Sequence, residues 1–98
     1  MRVDYTGFRD NRRKDAEGYI YFLLAEDTGL VKIGFTVDPG RRIRALQTSS
    51  PVKLTLLGKV PGDRWREERF HLVFRDLREH GEWFRLEGKL KEFIERDL

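Results

Sequence analysis

The sequence predicts a small α+β domain with elements in the order β-β-α-β-α-(β)-α. Three observations carry that prediction. The apolar runs "GYIYFLLAE" and "LVKIGFT" flank the turn residues "EDTG", which makes a β-hairpin. A short basic stretch, "DPGRRIRALQ", then carries a helix-start signal. From Asp63 onward the apolar spacing becomes helical, with Phe70, Val73, Phe74 and Leu77 at i, i+3, i+4 and i+7.

Taken in order, residues 1–17 mix charges without periodicity and read as a charged N-terminal arm. Residues 18–98 then form a single domain. After the hairpin, Asp38 can cap a helix that has Pro39 at its first position. Ile43 and Leu46 give that helix a narrow apolar stripe, so it lies on the sheet. "TSSP" ends it, and "VKLTLLGKV" supplies a third strand before the break at "PGD". The helix that follows is expected to run toward Gly81, a natural stop signal. "EWFRL" is a short extended piece, and "EGKLKEFIERDL" closes the chain as an amphipathic helix through Leu90, Phe93 and Ile94.

Composition narrows the function. The chain has 98 residues, 39% hydrophobic and 38% charged, and its apolar residues are clustered enough to build one core. It contains no cysteine, so disulfides, thiolate metal sites and thiol nucleophiles are excluded. No apolar run is long enough to cross a bilayer, and the N-terminus has charges where a signal peptide needs an apolar stretch. A cytoplasmic protein is expected. The net charge of +3 is mild but unevenly spread. Between residues 32 and 53, five basic residues face the single acid Asp38, a segregation that suits a polyanion and equally a solvated helix face.

Strand alternation picks out the candidate site. If Ile20, Phe22 and Leu24 face the core together with Val31, Ile33 and Phe35, then Tyr19, Tyr21 and Lys32 share the opposite face. Gly34 lies beside them and leaves room for a close approach to the backbone. Taken singly, Tyr21 is explained by cross-strand packing and Lys32 by edge protection. The short loop "TVDPG" brings the arginine-rich helix back over the end of the same strand. There Arg42 either offers a planar fork to a phosphate or packs its stem over apolar surface. In "REERFHLVF", Glu67 and His71 are i and i+4 neighbours, either an ordinary helical pair or a carboxylate suited to a hard divalent cation. His80, read as close to a helix end, complements the helix dipole and is given no chemistry. The tryptophans, Trp65 and Trp83, read as core-edge residues, with a protein-interaction role as a weaker alternative.

The ordered set of these motifs resembles the GIY-YIG nuclease superfamily, in particular its short phage and bacterial branch. The likeness rests on "GYIYFL", then "KIG" with Lys32 eleven positions after Tyr21, and Arg42 eight residues past Gly34. "RIRALQTSSP", "EERFH" and "GEWF" extend it from Gly18 to Phe84. The resemblance implies a three-stranded antiparallel sheet flanked by helices and a metal-dependent endonuclease that hydrolyses DNA phosphodiester bonds. It further implies that Tyr21 helps activate water, that Lys32 occupies the usual place of a second tyrosine, and that Arg42 steadies the phosphate. Glu67 would hold Mg or Mn, with Glu68 as its alternate, and His71 would supply the histidine function that Leu46 cannot. Arg41, Arg44, Lys53 and Tyr19 would contact DNA. With so few residues left to read sequence, specificity would come from DNA shape, a homodimer or a partner protein. The alternative is a nucleic-acid-binding module of the same fold that does not cut.

Overall fold

A computed structural model of the chain describes residues 17–98, so the expected arm over 1–17 lies outside it except for Glu17. Strands β1 (Gly18–Ala25) and β2 (Leu30–Thr36) form the expected hairpin. Helix α1 follows at Pro39–Thr48, then β3 at Leu54–Gly62 and helix α2 at Arg64–Val73. A 3₁₀ turn at Arg75–Leu77 leads into β4 (Arg78–His80) and β5 (Trp83–Arg85), and helix α3 spans Gly88–Asp97. Two of the three α-helices, α1 and α2, start on an aspartate cap. Asp38 accepts from the Arg41 amide at 3.2 Å, and Asp63 accepts from the Arg66 amide at 3.1 Å.

The sheet has five antiparallel strands in the order β3-β1-β2-β5-β4, not the three that were expected. The difference comes from one misread stretch. Helix α2 stops at Val73, and the 3₁₀ turn still brings Leu77 back onto the core. The apolar spacing therefore survives although the α-helix does not. Gly81 is not a helix stop. Its φ of 54° makes the bend between β4 and β5, which pair Arg78 with Phe84 and His80 with Trp83. His80 thus sits on an exposed strand, away from any helix end. Val73 also leaves the expected buried face and is 46% exposed.

The hairpin register places Phe22 opposite Ile33, Ile20 opposite Phe35 and Leu24 opposite Val31, the arrangement that alternation required. Ile20, Phe22, Val31, Ile33, Phe74, Phe84 and Leu90 form the core. Phe22 meets the Phe70 ring edge-on at 5.3 Å and Phe93 at 5.5 Å, which fixes α2 and α3 on this face. On the other face Tyr21 and Leu23 are also fully buried. Tyr21 lies across from Gly34, where any Cβ would collide with its hydroxyl. What the glycine admits is the Tyr21 ring.

Candidate active-site cleft

Strand β5 covers β2 only from Leu30 to Lys32. Just beyond it, the Ile33 amide donates to the Glu82 carbonyl at 3.0 Å, and a cleft opens along the remaining end of β2. Its walls are Tyr21, Phe35, Thr36, Val37, Arg42, Arg64, Glu67 and Glu82, around a volume of about 380 Å³. Five parts of the chain contribute to it: β1, β2 with its following loop, α1, α2 and the β4–β5 turn.

Tyr21, Arg42 and Glu67 are therefore brought together. Tyr21 is 1% exposed, and among the described residues nothing hydrogen-bonds to its hydroxyl, which borders the cleft. A buried hydroxyl without a partner is unfavourable and asks for one. Arg42 reaches the cleft from the first turn of α1, which Asp38 and Pro39 start in that position. Glu67 projects from α2 and is 6% exposed, whereas Glu68 points outward. Burial first, and the neighbouring Glu82 carboxylate second, push the Glu67 carboxyl above the usual carboxylate range. His71 and Arg64 oppose that rise, while a hydrogen bond with Glu82 adds to it.

Lys32 and His71 take other places. The Lys32 ammonium binds Glu82 Oε1 at 2.9 Å and lies 5.7 Å from the centre of the Trp83 ring. It touches the cleft through Glu82 and not directly. His71 Nε2 lies 2.8 Å from the Ile33 carbonyl oxygen, which can only accept, so this nitrogen carries the proton. The ring thereby ties α2 to β2, 3.7 Å from Glu67 Oε2. Of the expected DNA contacts, Arg41 and Arg44 stand exposed on α1. Tyr19 is 36% exposed with the Lys59 ammonium 5.4 Å above its ring. Lys53 precedes β3 at the end of the sheet where Ala25 pairs with Leu54, remote from Thr36 and the cleft.

Two charged cleft residues, Glu82 and Arg64, were missed by sequence reasoning. Glu82 stands in the quoted "GEWF", but its place depends on a hairpin that was not expected. Arg64 follows the α2 cap and precedes Glu67 by three, a spacing that puts both on one helix face. Among the described residues, no group of three or more histidines and carboxylates is arranged to hold a metal. Nor is any helix there long and apolar enough to cross a membrane.

No curated protein and no solved structure matches the chain. The family comparison overturns the resemblance drawn from the motifs. The model that matches is the T5orf172 domain, over residues 18–96, a different family from GIY-YIG. The motifs from "GYIYFL" to "GEWF" fall inside that match. It is a nuclease-like, DNA-binding family, compatible with a nucleic-acid-related function and a DNA partner. Matched from the first strand almost to the end of α3, the chain belongs to the T5orf172 domain family.

Proposed function

We propose that the chain is a metal-dependent DNA endonuclease that hydrolyses phosphodiester bonds in the cleft beside Tyr21, with limited sequence specificity. The observation that carries this reading is a buried tyrosine hydroxyl, without a partner among the described residues, in the same cleft as an arginine and a buried carboxylate. Hydrolysis of a phosphodiester needs charge stabilisation on the non-bridging oxygens and a group that handles the proton of attacking water. Arg42 binds and orients the phosphate. Tyr21 hydrogen-bonds the incoming water at its phenolic oxygen. Lys32 holds the Glu82 carboxylate in place against Glu67.

The two cleft carboxylates, Glu67 and Glu82, offer the kind of oxygen that suits Mg or Mn. Once bound, such a cation would supply Lewis-acid stabilisation of the phosphate charge. Glu67 is the residue that would hold it, since it is buried in the cleft and Glu68 is not. The module would span residues 18–98 and work in the cytoplasm, with specificity from a second copy or a partner. A nucleic-acid-binding module that does not cut is the second reading. It is favoured by the partners already beside each carboxylate: the Lys32 ammonium at Glu82, and the Arg64 guanidinium and His71 ring within 4 Å of Glu67.

The test is incubation with duplex, nicked and branched DNA in magnesium or manganese, beside Glu67→Gln and Arg42→Ala. Cleavage by the wild type that both substitutions abolish supports the nuclease. Binding without cleavage on every substrate supports the second reading. Absence of salt-sensitive binding removes both.

A further inference from the structure

Building on the phosphodiester reading of the cleft, we infer that Arg64 is a second phosphate-binding residue, gripping the same phosphodiester as Arg42 from a different helix. Four other arginines of the described chain spend their donors on backbone carbonyls. Arg66 donates to Pro61 at 2.8 Å, Arg75 to Leu72 at 3.2 Å, Arg78 to Gly81 at 2.8 Å and Arg85 to Asp76 at 3.1 Å. These are structural. The Arg64 side chain makes no hydrogen bond among the described residues. Its ion-pair contact, with Glu67 Oε1, is 3.8 Å long, and its side chain is 75% exposed. The planar fork of five donors is therefore unspent.

The same guanidinium is nevertheless held in position. It lies 5.1 Å from the centre of the Phe35 ring, which is itself part of the cleft wall. Arg64 is the first residue of the ten-residue helix α2, where the backbone dipole also favours an anion. An independent observation points to a ligand at this place: Tyr21, 1% exposed and with its hydroxyl unpartnered among the described residues, lines the same cleft. A phosphodiester answers all three features. Its two non-bridging oxygens suit two guanidinium forks, and its oxygens can accept from the phenol.

The test is binding of a fluorescently labelled duplex in EDTA, where no strand is cut, followed by anisotropy across a salt series. Arg64→Ala is expected to weaken binding about tenfold. It is also expected to flatten the slope of log K against log salt by about 0.9, the share of one lost phosphate contact on duplex DNA. Arg64→Lys restores the slope but not the full affinity, because a point charge replaces the fork. Phe35→Leu keeps the slope and loses affinity. Arg96→Ala, which removes an exposed charge near the end of α3, changes neither. An Arg64→Ala protein that binds with the wild-type slope and affinity overturns the assignment and leaves the cleft reading standing. A wild type that shows no salt-dependent binding overturns both.

Discussion

Glu67 shows what a buried carboxylate costs the fold. Burial and the Glu82 carboxylate hold its proton on more tightly in the folded chain than in the unfolded one. The folded state therefore binds more protons than the unfolded state above the ordinary carboxyl value of 4.5, and stability falls as pH rises through the folded value. Glu67→Gln removes that penalty while keeping the shape. It is expected to raise the melting temperature at neutral pH, with the gain shrinking as pH falls toward the unfolded value. Calorimetry at several pH values checks this; a gain that grows on acidification contradicts it. Tyr21 was legible as a candidate because strand alternation set its face, and the register agrees. Its burial was not legible, because how deeply a strand tyrosine is buried depends on what packs above the sheet.

At the scale of elements, the β4–β5 hairpin has the largest consequence for the cleft. It adds two strands, completes the side of β2 up to Lys32, and delivers Glu82. Strand β5 falls inside the extended piece read at "EWFRL", but three-residue β4 has no room for a recognisable period of two, and the preceding apolar spacing fits a helix as well as a helix plus a 3₁₀ turn. The longer elements had period enough to be read: β1, β2, α1, β3 and α3 all fall close to their expected places. Gly81→Ala places a side chain at a φ of 54° and is expected to cost about 1 kcal/mol. Since Glu82 follows directly, amide exchange at Trp83 and Phe84 should quicken as well; unchanged exchange would show that the turn does not depend on glycine. Phe22→Ala cuts the contacts that seat α2 and α3 and is expected to cost about 3–5 kcal/mol, read by denaturant melts.

For the whole molecule, the charge pattern and the cleft fall at related but separate places. The sequence segregates positive charge between residues 32 and 53, yet the folded chain distributes it. Arg42 enters the cleft, Arg41 and Arg44 stay on the exposed surface of α1, Lys53 goes to the far end of the sheet, and Lys32 is neutralised by Glu82. A summed basic count therefore overstates what DNA can meet at one place. Lys53→Ala is expected to change DNA affinity less than twofold, whereas Arg42→Ala weakens it about tenfold at low salt. Equal losses from both substitutions would mean that a diffuse basic surface, and not the cleft, carries binding.

The most direct measurement is single-turnover cleavage by Tyr21→Phe beside the wild type in manganese, with a thermal melt of both proteins. Removing this hydroxyl, which has no partner among the described residues, should leave the melting temperature equal or higher and slow cleavage by about 10²-fold or more. Wild-type cleavage rates in a stably folded Tyr21→Phe protein would contradict the role of this cleft.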